Sequence, residues 1–322
     1  MDLPIPIIDL QSNTGHLEDP AIANALDRAL SSLGFCYLTG HGVNSKTIGN
    51  AFRANREFHQ LPAEAKADLK INAQHRGYIA RDTSTTRTSS VECVETPNRS
   101  ESLMLMQPVD PSDKRWGSGI FGPNQFPERD LPMFRVWSVE YFDAMSRLAL
   151  ELTRRLAIAL GLEFDAFDDL FTDPTIFLRM IHYPEDDSDQ PEQYFGSAPH
   201  TDHGFLTLVA QDEVGGLEVR VNGSDWISIP PLKNSFVLNV ADMLSQLSGG
   251  RWRSTPHRVV LNKKPRHSIA FFFDPNFDAM ISSRVGSSCL DSEEIPTRYG
   301  DYLMSRFGQN YDYRSQGTQK TS

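Results

Sequence analysis

From Pro174 onward the chain breaks into a series of short apolar runs, and this series limits the possible folds more than any other feature. The runs are Ile176 to Tyr183, Phe205 to Gln211, Gly216 to Val221, Trp226 to Ile229, Phe236 to Val240, His257 to Leu261 and Ser268 to Asp274. Turn formers separate them: Gly215-Gly216, Asn222-Gly223, Pro230-Pro231, Gly249-Gly250 and Lys264-Pro265. No helix of crossover length lies between the runs, which argues against a doubly wound parallel sheet. Many short strands joined by turns predict an antiparallel sandwich or barrel.

The chain before Pro174 has a different period. Pro4 to Leu10 predicts an extended entry segment, because each proline biases its predecessor away from helix. Ile22, Leu26, Leu30 and Leu33 recur at helical spacing and Gly34 ends them. Phe35 to Thr39 predicts a short strand, Ser45 to Gln60 a second helix, and Pro62 the start of a third. A long amphipathic helix is expected over 127–160. Its stripe of Phe134, Trp137, Tyr141, Met145, Leu148, Leu152, Leu156 and Ala159 is read as core packing. The chain thus divides into an N-terminal helical region over 1–125, a supporting helix within 126–172, a strand-rich core over 173–280, and a C-terminal helix and tail over 281–322.

Composition narrows the class of partner. The formal charge is −11, from 31 basic and 42 acidic residues, whereas nucleic-acid binding needs a basic face. No run approaches the roughly 18 apolar residues of a membrane span. The N-terminal MDLPIPIIDL lacks the basic segment of a secretory signal. Cys36, Cys93 and Cys289 form no CxxC pair, as expected of a reduced, cytoplasmic protein. These readings leave a small molecule as the expected partner, with neither nucleic acid nor membrane involved.

Among the nine histidines, two are followed two residues later by an acid. His16-x-Glu18 lies in a polar linker and is read as solvated. His200-x-Asp202 lies at the mouth of a strand, where residues i and i+2 share a face and can grip one ion. His257 opens a distant strand and offers a third ligand. Two histidines and one carboxylate form the facial triad of non-haem Fe(II) sites that activate O2. An Arg-x-Ser pair adds a second element. Arg87-x-Ser89 sits in a polar loop, but Arg266 and Ser268 follow the turn at Lys264-Pro265 and share a face. A guanidinium beside a hydroxyl suits a carboxylate held bidentately.

With these motifs the chain resembles an iron(II)- and 2-oxoglutarate-dependent dioxygenase of the isopenicillin N synthase-like superfamily. The matching stretches, in order, are IPIIDL (5–10), GFCYLTGHGV (34–43), HYP (182–184), PHTDHGFLT (199–207), GGL (215–217), NVADML (239–244), STPHRV (254–259) and RHS (266–268). The resemblance implies a mainly β fold, a double-stranded β-helix or jelly roll with a helical, pocket-forming N-terminal region. It implies that His200, Asp202 and His257 bind Fe(II), and that Arg266, Ser268 and Tyr183 bind the distal carboxylate of 2-oxoglutarate. It also implies an O2-dependent oxidation, by default a hydroxylation, of a small-molecule substrate with release of succinate and CO2. Where plant relatives often have asparagine, this chain has Ile181, so one co-substrate contact is expected to be absent. His182 and His203 receive no role.

Three rivals follow from the same residues. A 2-oxoglutarate-independent oxidase like isopenicillin N synthase keeps an Arg-x-Ser. A binding module with a disused metal site would be expected to have lost a member of the triad or of the arginine–serine pair. A zinc hydrolase would need a general base that no HExxH helix supplies. Substrate contacts are expected from Tyr78, Met104, Met106, Phe272 and Arg179. The methionines suggest an adaptable apolar wall, and Arg81, Arg87 and Arg179 an acidic group on the substrate. The segment 76–99, long and rich in Ser, Thr and Arg, is expected to act as a lid.

Overall fold

The computed structural model describes residues 5–11, 18–85, 91, 94, 96–186, 194–221, 225–281 and 296–310. In chain order the elements begin with β1 (Ile7–Asp9), α1 (Pro20–Ser32), β2 (Phe35–Thr39), α2 (Ser45–His59) and α3 (Ala63–Ala67). There follow β3 (Gly77–Ile79), β4 (Glu101–Met106), α4 (Phe134–Ala159), β5 (Pro174–Tyr183), β6 (Ser197–His200) and β7 (Leu206–Gln211). The remainder are β8 (Leu217–Val219), β9 (Ile227–Ser228), β10 (Phe236–Val240), α5 (Asp242–Leu247), β11 (His257–Val259), β12 (Arg266–Asn276), β13 (Met280–Ile281), β14 (Thr297–Arg298) and α6 (Tyr299–Asn310).

Two sheets face each other. The larger has eight strands in the order β1-β2-β10-β7-β12-β5-β4-β3, and the smaller has four in the order β6-β11-β8-β9. Apart from the parallel pair β1–β2, the strands of both sheets pair antiparallel. This is the antiparallel architecture expected from the strand series, and the jelly roll that the resemblance implies. The N-terminal region contributes β1 to β4 to the larger sheet, which therefore draws strands from both sides of the boundary expected at residue 125.

Alternation along the strands sorts residues between two cores. On β12, Ile269, Phe271 and Phe273 face outward into the large apolar core shared with the helices. There the α4 stripe packs as expected, with Phe142 edge-on to Phe271 at 5.6 Å between ring centroids. Ala270 belongs to the smaller core between the sheets, with Phe35, Tyr37, Ile181, Tyr183, Leu217, Val219 and Val259. Asp19 caps α1 by accepting from the Ala21 N–H at 2.9 Å, and Asn44 caps α2 by accepting from Lys46 at 2.8 Å. α4 begins at Phe134, later than the expected 127, because 127–133 forms turns.

The beginning of the segment expected to be a lid is instead part of the sheet. Gly77–Ile79 pairs with Ser102–Met104 of β4, and Arg76 is buried, donating to the Ile120 and Gln107 carbonyls. At its other end, Asn98 accepts from the Ala198 N–H at 2.8 Å and Arg99 N–H donates to the Phe195 carbonyl. Residues 86–90, 92, 93 and 95, including Arg87-x-Ser89, lie outside the described residues, as do His16, Cys289 and Asn222-Gly223. Among the described residues, no helix is long and apolar enough to cross a membrane.

Candidate functional site

The smaller sheet brings two imidazoles level. His257 on β11 is the cross-strand partner of His200 on β6, and their rings lie 4.3 Å apart. Asp202 follows just beyond β6, and its Oδ1 lies 3.7 Å from the Nε2 of each histidine. Among the described residues this is the one group of histidine, cysteine or acidic side chains whose ligand atoms could hold a metal ion.

The surrounding bonds leave the ligand atoms available. Nδ1 of His200 lies 2.7 Å from the Ala198 carbonyl, and Nδ1 of His257 lies 3.2 Å from that of Thr255. A carbonyl only accepts, so each Nδ1 carries the proton and each Nε2 presents a lone pair. Asp202 Oδ2 accepts from Thr207 Oγ1 at 2.6 Å and from Asn239 Nδ2 at 2.8 Å. One carboxylate oxygen is thereby tethered to β7 and β10, and the other faces the imidazoles. Burial, followed by the charge of His257, pushes His200 down to about 4. Burial acts to raise Asp202, but His257, His200 and the bonds from Thr207 and Asn239 leave it below its ordinary value. Neutral imidazole and ionised carboxylate are the forms that ligate a divalent cation.

Thr207 and Asn239 lie within motifs the sequence made visible, but their task was not legible there. It depends on how β7 and β10 pair in space, since Asn239 is the cross-strand partner of Thr207.

Arg266, Ser268 and Tyr183 meet at the inner end of β12 and β5. Arg266 is the cross-strand partner of Tyr183, and its guanidinium lies over that ring at 4.6 Å. Nη1 donates to Ser268 Oγ at 3.3 Å and Nη2 to Gln211 Oε1 at 3.1 Å. Gln211 of β7, opposite Ser268 in register, is a neighbour that sequence reasoning missed. Arg266 is only 1% exposed, yet its Nε has no hydrogen-bond partner. No described carboxylate forms an ion pair with it. A buried guanidinium left in this state costs several kcal/mol unless an anion joins it. The donor set fits a carboxylate of 2-oxoglutarate.

A cavity of about 160 Å³ opens beside His200 and Asp202. Of the residues expected to contact substrate, Met104, Arg179 and Phe272 line it. Tyr78 and Met106 do not, which corrects the expectation for both. Tyr78 pairs with Leu103, one residue out of step with Met104, so it points to the opposite face of the sheet. There its hydroxyl bonds to Glu101, and Lys66 lies over its ring at 5.4 Å. Met106 lies farther along β4 and lines a separate small cavity with Ile120, Phe121 and Phe277. Arg81 faces Asp82 at 3.5 Å on the surface and is not a cavity residue.

The cavity also takes walls that the sequence did not announce. Tyr299, Leu303 and Phe307 of α6 line it, as do His75 and His203. Asp274 anchors this wall by accepting from Tyr299 Oη and from the Phe205 N–H, both at 2.7 Å. Any side chain at Gly204 would collide with the Asp274 carboxylate. Burial raises Asp274 to about 6 despite these bonds. His182, by contrast, is on the outer face, between Glu101 at 2.8 Å and the stacked ring of His267 at 4.7 Å.

Comparison with known proteins agrees with this geometry. Residues 174–275 match the 2OG-Fe(II) oxygenase superfamily, and residues 5–129 match the N-terminal region described as non-haem dioxygenase in morphine synthesis. A homoarginine-6-hydroxylase of rice, Oryza sativa subsp. japonica, is 32% identical over 95% of this chain and 97% of its own. The 2-oxoglutarate-dependent dioxygenase citB of Monascus ruber is 30% identical over 96% of each chain. The crystal structure of a full-length Neurospora crassa protein in complex with alpha-KG, which is 2-oxoglutarate, superposes with a TM-score of 0.79. It is 26% identical, and the match covers 95% of this chain and 97% of that one.

Proposed function

For a chain that belongs to the 2OG-Fe(II) oxygenase superfamily and is a 2-oxoglutarate-dependent dioxygenase, we propose the following division of labour. His200, Asp202 and His257 hold Fe(II). Arg266, Ser268 and Tyr183 hold the distal carboxylate of 2-oxoglutarate. A small molecule in the cavity walled by Arg179, Met104 and Phe272 is hydroxylated. Bound iron supplies O2 activation coupled to decarboxylation of 2-oxoglutarate to succinate and CO2. The chain's own residues supply the rest. The two carbonyl-bound imidazoles and the tethered Asp202 fix which atoms face the metal. Arg266 sets the co-substrate's direction, and the apolar walls keep water from the reacting carbon.

The cytoplasm is the compartment we assign, on the scarcity and spacing of the cysteines, of which Cys36 is buried and free. The acidic net charge supports a small-molecule partner over nucleic acid.

The observation that carries this reading is Arg266, a buried guanidinium with an unbonded Nε and no described acidic partner. Titration of 2-oxoglutarate into the Fe(II) protein without oxygen tests it. Arg266→Ala should weaken binding by about 2–5 kcal/mol, the range for leaving a buried charge unpaired. Arg266→Lys should lose less, because a point charge keeps attraction but not the fork. Unchanged affinity in the alanine variant would remove Arg266 from the co-substrate site.

A further inference from the structure

Among the described residues, the cavity holds one permanent positive charge that neither the metal site nor the co-substrate site uses. Arg179 leaves β5 on its inner face, level with Met104 of β4 and Ala270 of β12. Its Nε donates to Ser102 Oγ at 3.0 Å, which fixes the plane of the guanidinium. No described carboxylate pairs with it. The two acids lining the cavity are committed elsewhere: Asp202 faces the imidazoles, and Asp274 accepts from Phe205 and Tyr299.

Register separates this charge from Arg266. The inward residues of β5 and β12 form tiers: Tyr183 with Arg266, Ile181 with Ser268, Arg179 with Ala270, and Phe177 with Phe272. Successive tiers are two residues, or roughly 7 Å, apart. Arg179 therefore starts two tiers from Arg266, and a diacid gripped at Arg266 leaves Arg179 for a second anion. Beyond Arg179 the cavity turns aromatic. Phe177 stands edge-on to Phe272 and to Phe307, with centroids at 6.5 and 5.8 Å, and His75 stacks on Phe307 at 4.0 Å.

We propose that Arg179 binds a carboxylate of the substrate, and that the substrates are small acids whose apolar body lies against Phe177, Phe272 and Phe307. The assignment rests on the co-substrate reading above, which gives the other guanidinium to 2-oxoglutarate. A guanidinium held at Nε still offers its terminal nitrogens as a planar fork to a carboxylate. A neutral amide of the same shape cannot form the charge-assisted pair.

The test uses the Fe(II) protein saturated with 2-oxoglutarate under anaerobic conditions. Benzoate, 3-phenylpropionate and 4-phenylbutyrate are titrated calorimetrically, each beside its primary amide. In the wild-type chain at least one acid should bind roughly tenfold or more tightly than its amide. In Arg179→Met that preference should vanish while 2-oxoglutarate affinity stays unchanged. Arg179→Lys should keep a reduced preference, and it stands in should the methionine variant not fold. The proposal is overturned if no acid outbinds its amide, whether both bind equally or neither binds. It is also overturned if the preference survives in Arg179→Met, or if that variant loses 2-oxoglutarate instead. Failure of 2-oxoglutarate to bind the wild-type chain, measured before any probe is added, strikes the earlier reading and takes this one with it.

Discussion

The two faces of β12 do opposite work. Outward, Ile269, Phe271 and Phe273 are buried among apolar side chains and contribute stability through area removed from water. Inward, Arg266 and Ser268 are equally buried but polar, and one donor of Arg266 has no partner. A strand optimised for stability alone would not bury a guanidinium in that state. In the role proposed for Arg266 and Ser268, the inner face serves function at a cost in stability, and the outer face offsets that cost. Mutations on the two faces should therefore separate stability from chemistry.

The largest effect is expected at the proposed metal site, which shares its cavity with Phe272 of that inner face. Asp202→Ala should abolish succinate release and strip Fe(II) from the protein, since two imidazoles alone do not make the facial site. The fold should persist, which circular dichroism alongside iron content would check. A variant that retained its iron and its turnover would take Asp202 out of the triad.

On the outer face, Phe271→Ala should cost about 3–5 kcal/mol of unfolding free energy, the range for deleting a buried phenylalanine. Denaturant titration measures this, and 2-oxoglutarate affinity of the folded protein should stay near wild type. A parallel loss of affinity would mean that the two faces are not separable.

The smallest effect concerns acid. His267 on the outer face and His59 of α2, which packs near it, are lowered to about 4 and about 3, in each case first by burial. Below pH 6.5 the unfolded chain takes up protons that these folded imidazoles refuse, so stability falls as pH drops from 6.5 toward 4. Asp274, raised to about 6 chiefly by burial, binds its proton more readily in the folded state and opposes this over pH 4 to 6. His267→Gln should flatten the acid limb of a melting-temperature profile, and Asp274→Asn should steepen it. Profiles that superpose in both variants would show that neither group is linked to folding.

Legibility in the sequence followed the distance over which a signal acts. His200 and Asp202 are two residues apart, and Arg266 and Ser268 likewise, so each pair was visible as a short local pattern. The antiparallel strand-rich core was legible because each strand and each turn is a local pattern, and the resemblance narrowed it to a jelly roll. Tyr78 was misplaced because its pairing register with β4, which a local pattern does not encode, decides its face. Thr207, Asn239 and Gln211 take their roles from neighbouring strands, and Tyr299, Leu303 and Phe307 from where α6 docks. None of these leaves a mark at short spacing.

The cross-strand pairing of His200 with His257 has a consequence for how the molecule assembles. The pairing joins stretches of chain that β7 to β10 and α5 separate in sequence, so it is a long-range contact. Until β6 meets β11, neither imidazole has the other as neighbour, and no three-point grip exists. An ion that binds the triad adds its binding free energy to the closed arrangement alone. It acts as a clasp on a long-range pairing of the smaller sheet, whose strands are short and individually weak. The affinity for such an ion is then coupled to the closure of those four strands, and not only to the strength of its bonds.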